Sequence, residues 1–152
     1  MLRVDWLDNQ MDKCGLMAEW IYREFSYEFA QQSLSSWQQE FAEGQRDGSW
    51  KCLIATEQDQ LLGGATLASS DLSDRPDLGP WLACVFTAPE ARRRGLATQL
   101  IEGICSHAKD AGFTTLYLHT HSQSHYYTKL GWTVLERFEV WGKEHCLMSR
   151  SL

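Results

Sequence analysis

The stretch that most restricts how this chain can fold lies near its middle. Trp81 to Thr87 is a short, almost wholly apolar run, which suits a strand buried on both faces. Pro89 ends it, and Arg92-Arg93-Arg94-Gly95 follows. From Gly95 to Ala111 the pattern is helical, with Leu96, Leu100, Ile101, Ile104 and Ala108 on one face and Gly112 as the stop. The first N–H groups of a helix have no internal partner and sit at the positive end of its dipole. Beside a glycine that lets backbone come close, they form a cradle for an anion, best suited to phosphate or pyrophosphate. Ala97 is small where a bulkier residue would hold a ligand off the backbone. The plainer alternative is a solvated, arginine-capped turn, yet cations at a helix N-terminus are unfavourable unless an anion offsets them. No Gly-Lys-Ser/Thr follows the turn, so it is not a P-loop, and the three-glycine spacing of a dinucleotide fingerprint is missing.

The rest of the chain frames that turn. Leu2 to Trp6 alternates as a half-buried strand does. Met11 to Phe25 reads as a helix with Leu16, Trp20 and Ile21 on its apolar face and Met17 and Phe25 flanking. Ser33 to Glu43 reads as a second, with Leu34, Trp37 and Phe41 on one stripe and Gly44 and Gly48 breaking the chain after it. Trp50–Ala55 and Leu61–Ala68 form a hairpin around a polar turn, and Ser69 to Pro80 is a loop. Leu116–Thr120 is a strand, Ser124–Leu130 a short helix ending at Gly131, and Trp132–Val140 with Lys143–Met148 a closing pair of strands around Gly142. This order predicts an α/β chain with a mixed, mostly antiparallel central sheet flanked by helices.

Composition removes several functions. The 152 residues favour one domain, 1–152, and 43% hydrophobic content is enough for a full core. Fourteen basic against 20 acidic residues give a net charge of −6, which disfavours nucleic-acid binding and favours cationic substrates. Cys14, Cys52, Cys84, Cys105 and Cys146 are odd in number and widely spaced with no CxxC, so neither a disulfide scaffold nor a structural zinc knot is expected. Acidic residues among the first twenty exclude a signal-peptide core there, and no apolar run approaches the roughly 20 residues a bilayer span needs. A cytoplasmic protein without a membrane partner is the expectation.

With these residues in view, Arg92-Arg93-Arg94-Gly95-Leu96-Ala97 resembles the acyl-CoA-binding motif Arg/Gln-x-x-Gly-x-Gly/Ala of the GCN5-related N-acetyltransferase (GNAT) family. Pro89-Glu90-Ala91-Arg92 is similar to the family's lead-in, and the order of elements matches along nearly the whole chain. The resemblance implies acetyl-CoA as cosubstrate. Its pantetheine arm would pair with the backbone of Val85, Phe86 and Thr87 as an added strand. The amides from Arg93 and Arg94 through Gly95, Leu96, Ala97 and Thr98 would hold the pyrophosphate, with Arg92 at the motif's start.

His125-Tyr126-Tyr127-Thr128-Lys129-Leu130-Gly131-Trp132 resembles the family's second signature, a Tyr four residues before a Gly. It implies Tyr127 as general acid for the departing thiolate; the alternative for Tyr127 is a packed helix residue with a wet hydroxyl. An amine acceptor is mostly protonated at neutral pH and needs a base or a water chain. Several family members carry a Glu on the strand that here holds His119, so His119 is the candidate base, and a polar strand-end residue is its alternative. His119, His121 and His125 could suggest a metal, but no cysteine or carboxylate is suitably spaced beside them, and none is expected. Glu24, Glu28, Glu40, Glu43, Asp71 and Asp74, interleaved with Tyr22, Phe25, Tyr27, Phe29 and Trp37, suggest an acidic, aromatic wall for a cationic small-molecule or peptide amine. Cys84 borders the site, where apolar burial would disfavour a covalent acyl-cysteine. Trp141 suggests a possible homodimer contact. The rival function is an acyl-CoA-binding or sensing domain without turnover.

Overall fold

The computed structural model describes residues 1–152. Seven strands form one sheet: β1 (Leu2–Trp6), β2 (Trp50–Glu57), β3 (Gln60–Ala68), β4 (Trp81–Thr87), β5 (Thr115–Thr120), β6 (Thr133–Val140) and β7 (Lys143–Ser151). Their spatial order is β1-β2-β3-β4-β5-β7-β6, and every pair is antiparallel except β4–β5. Four helices cover the sheet: α1 (Cys14–Glu24), α2 (Leu34–Asp47), α3 (Leu96–Asp110) and α4 (Ser124–Lys129). The expected mixed, mostly antiparallel sheet is what the chain forms. No helix is long and apolar enough to cross a membrane.

The period of two along β2 divides the core. Cys52 and Ile54 point into a cluster with Met17, Ala18 and Ile21 of α1 and Trp37 and Phe41 of α2. Leu53 and Ala55 point to the other face, against Leu100, Ile101 and Ile104 of α3. Both faces are covered, so the central strands are apolar nearly throughout.

The structure corrects several details of the helices. The residues before Cys14 form 3-10 turns, and this phase puts Met17, Ala18 and Ile21 inward while Leu16 is left 45% exposed. Gly44 does not break the second helix. It lies inside α2, where a Cβ would come 2.5 Å from the Trp50 ring, so its smallness admits an indole rather than a turn. The real ends of α2 are Ser33, whose Oγ accepts a hydrogen bond from the Ser36 amide at 3.2 Å, and left-handed Gly48. Strand β7 runs on to Ser151, paired with β5 as far as Thr115.

One irregularity opens the molecule. β4 and β5 are joined through a single register pair, Trp81–Tyr117, while β4 stays bonded to β3 as far as Thr87. The β3–β4 register shifts between Gly64 and Thr66, and Cys84 takes a left-handed φ of +54°. This bulge turns the end of β4 away from β5. The edge of β4 beyond Trp81 is thereby left without a neighbour, at the mouth of a wedge between the strands.

Candidate active site

The wedge is the floor of a cleft of about 720 Å³. At one end lies the turn into α3. Gly95 is the N-cap of α3 with φ +74°, no side chain caps the helix, and a Cβ at Gly95 would meet nothing within 4 Å. The first amides of α3 are thus unpartnered and sterically open. Arg92 donates from Nε to the Thr87 carbonyl at 3.0 Å, and neither Arg92 nor Arg93 is in an ion pair. Val85, Phe86, Thr87, Arg92, Arg93, Gly95, Leu96, Ala97 and Thr98 all line the cleft. Arg94, expected with them, does not: its guanidinium turns to Glu57 at the end of β2, at 3.0 Å. A carboxylate within reach outweighs a place in the row of arginines.

Tyr127 lies on α4 and is buried in the core on the α3 side, its ring edge-on to Trp132 and Tyr126, yet it lines the cleft. Burial, with Tyr126 beside it, pushes its phenol well above the usual range, so it holds its proton at any physiological pH. Tyr126 also lines the cleft, its hydroxyl 2.9 Å from Thr98 Oγ1, which ties α4 to the first turn of α3.

The opposite end is acidic. His119, at the end of β5, is only 4% exposed, with Nε2 2.9 Å from Asp71 Oδ2 in the 69–80 loop. That approach is too bent for a hydrogen bond and is an ion pair. Its Nδ1 lies 3.2 Å from Nδ1 of His145 on β7. Burial, with the charges of His119, His121 and Lys143, pulls His145 down to about 4, so it is neutral near pH 7 and can accept from His119 Nδ1. Burial lowers His119, but its contact with Asp71 and the charges of Asp71 and Glu28 outweigh this and leave it above the ordinary value. Glu28, from a 3-10 turn after α1, is raised to about 7 by burial and then by Asp71, with His119 opposing.

Glu28, Asp71 and His119 bring a ligand atom each within 4.8 Å of one another. No neighbouring residue in the chain points to carboxylates beside His119; folding supplies two, from the turn after α1 and from the 69–80 loop. Such a set could hold a cation, and near neutral pH it can equally exchange a proton with an amine in the cleft. His121 lines the cleft, whereas His125 does not. Of the acidic wall, Glu24, Glu28, Glu40 and Asp71 line it, and Glu43 and Asp74 do not. Phe25, Tyr27, Phe29 and Trp37 contribute rings; Tyr22 instead packs on Phe29 and donates to the Gln32 carbonyl. Trp141, at the β6–β7 turn, lies over the mouth, 5.8 Å from His119 and 6.2 Å from Tyr27 by ring centroid. Cys84 sits on the floor, its thiol pushed far up by burial and by Asp71, which keeps it a poor nucleophile.

The profile of the acetyltransferase (GNAT) family matches residues 16–132, and the chain belongs to this family of acetyl-CoA-dependent N-acetyltransferases. No curated protein matches it by sequence. Solved structures repeat the fold. An aminoglycoside 6'-N-acetyltransferase complexed with coenzyme A is 16% identical, with 98% of this chain and 96% of that one covered and a TM-score of 0.75. An N-acetyltransferase from Staphylococcus aureus is 17% identical, with 99% and 97% covered and a TM-score of 0.73. An acetyltransferase structure from Salmonella typhimurium with its cofactor acetyl-CoA is 18% identical, with 99% and 94% covered and a TM-score of 0.73.

Proposed function

We propose that the chain transfers acetyl directly from acetyl-CoA to a cationic primary amine, with no acyl-enzyme. The observation that carries this reading is a meeting of two unsatisfied backbone elements in one cleft: the unpaired edge of β4 and the uncapped N-terminus of α3. An extended pantetheine arm would bond to Val85, Phe86 and Thr87 as a strand does. The diphosphate would rest on the amides that follow Gly95, with Arg92 and Arg93 as counter-charges. A β4 amide would polarise the thioester carbonyl.

The amine enters from the acidic end. Glu28, beside the His119–Asp71 pair, takes its first proton and frees the lone pair that attacks the thioester carbon; the nitrogen's second proton passes to water as the amide forms. As the C–S bond breaks, Tyr127 gives its proton to the sulfur. A phenol so far above its usual range does not ionise ahead of the step, so its transfer is concerted with departure. The reading assigns Glu28, Asp71 and His119 to proton handling rather than to a metal, and dialysis against a chelator should leave the rate unchanged.

Release of coenzyme thiol across a panel of primary amines tests the function. Tyr127→Phe is expected to lower kcat by about 10²-fold or more while acetyl-CoA and desulfo-CoA still bind by calorimetry. A loss below about threefold would remove the acid role. The absence of saturable binding at roughly millimolar coenzyme would end the reading as a whole, since even a weak specific site gives about −4 kcal/mol. Binding without turnover of any amine would instead favour a sensing domain.

A further inference from the structure

The acidic end of the cleft carries more negative charge than one ammonium needs. Glu24, Glu28, Glu40 and Asp71 all line it. None of Glu24, Glu28 and Glu40 is paired with a lysine or arginine, and Asp71 pairs only with His119. The cleft's own arginines, Arg92 and Arg93, belong to the turn into α3. Lys143, with its ammonium 5.1 Å from the Tyr27 ring, does not line it. Glu28 and Asp71 are half-buried, so their like charges repel until a cation arrives, whereas Glu24 and Glu40 stand exposed at the mouth.

Two features give the charge a shape. First, the carboxylates fall into separate stations. Glu28 and Asp71 converge on His119, while Glu40 stands on α2, one turn from Trp37, where Gln32 Nε2 donates to its Oε1 at 3.0 Å and orients it. Beside Glu40 the wall is aromatic: the half-buried rings of Phe29 and Trp50 line the cleft, held 4.9 Å and 5.2 Å from Trp37, which is itself buried. Methylenes could cross these rings from one station to the other. Secondly, Nε2 of His145, a side chain only 1% exposed, is buried in the cleft wall without any partner, which marks this end as built for a polar guest.

We propose that the acceptor is a small α,ω-diamine, whose reacting amine lies at Glu28, Asp71 and His119 and whose second ammonium pairs with Glu40 across the Phe29 and Trp50 rings. The inference rests on the acetyl-transfer reading for its reacting end, but the second station is a binding property and is testable without turnover. A monoamine of equal length leaves Glu40 unmatched. An amino acid such as lysine brings a carboxylate toward the acidic wall and is rejected.

Calorimetry on the protein saturated with coenzyme A decides it, with 1,4-diaminobutane, 1-aminobutane and lysine as probes at low salt. Pairing with an exposed carboxylate predicts that at low salt the diamine binds about three- to fivefold tighter than the monoamine. Glu40→Gln should bring that ratio to about one, Glu40→Asp should keep part of it, and added salt should shrink it. A diamine and monoamine that bind alike, a Glu40→Gln variant that weakens both equally, or lysine binding as well as the diamine would each overturn the proposal. Thiol release with the same probes is read separately. Turnover of monoamine without diamine preference sinks this inference alone, whereas diamine-selective binding with no thiol release sinks the acetyl-transfer reading and leaves the station standing.

Discussion

Tyr127 and Glu28 reach the cleft from different sides, one from the core under α3 and α4, the other from the connection between α1 and α2. Their environments push both toward the neutral form, by burial in each case. For the phenol this preserves an acid; for the carboxyl it places the proton equilibrium near physiological pH, where a base is most useful. Glu28 accepts a proton only when ionised, so kcat/KM should be low in mild acid and rise as pH passes through about 7. Because His119 and Asp71 share the site, the inflection belongs to the group and not to one residue. Glu28→Gln should abolish that limb and lower kcat/KM by roughly 10²-fold, read from a pH–rate profile. An unchanged profile would assign the proton acceptor to His119 alone.

At the scale of elements, the turn into α3 and the bulge in β4 do different jobs. The bulge at Cys84 frees a strand edge, and the left-handed Gly95 aims the helix amides past it. Gly95→Ala separates backbone from contact, because its Cβ would touch no protein atom. A left-handed alanine costs about 1–2 kcal/mol, visible in urea unfolding. The same methyl stands where a diphosphate would approach, so coenzyme affinity should fall by about tenfold or more, beyond what the stability loss explains. Calorimetry beside the unfolding curve makes the comparison. Equal affinity in the variant would mean that the amides of α3 do not carry the ligand.

Across the whole molecule, the cleft is a gap in an otherwise continuous sheet, with separate apolar cores packed on its two faces. A ligand that bonds to the β4 edge and to the start of α3 joins elements that the protein itself leaves apart. Coenzyme at about 100 times its Kd should add roughly 2.7 kcal/mol of stability, or about 5–10 °C in Tm for a domain of this size, by differential scanning calorimetry. Nucleotides that lack the pantetheine arm should give less, since they leave the strand edge unpaired. A shift as large with such a nucleotide would place the binding energy at the diphosphate alone.

The residues divide according to how far their signals travel along the chain. The apolar strand 81–87, the Arg-Gly turn, the α3 stripe and Tyr127 before Leu130-Gly131 were legible because each depends on neighbours within a turn or a strand, where spacing and φ preference are local properties. The phase of α1 was not, since the 3-10 turns ahead of it depend on how Leu7 seats in the core, and Leu16 came out exposed. The direction of the Arg94 side chain was not legible either, because its partner, Glu57, is supplied by a distant strand. Glu28, Asp71, His119 and His145 lie in four separate segments with ordinary surroundings in the sequence, and no periodicity joins them. The chain alone determined the sheet's order of elements and the place where a diphosphate could rest, because helix termini and strand edges are written in consecutive residues. Only the packed structure decided which carboxylates face which imidazole, because a pKa and an ion pair are set by whatever comes to lie a few ångströms away.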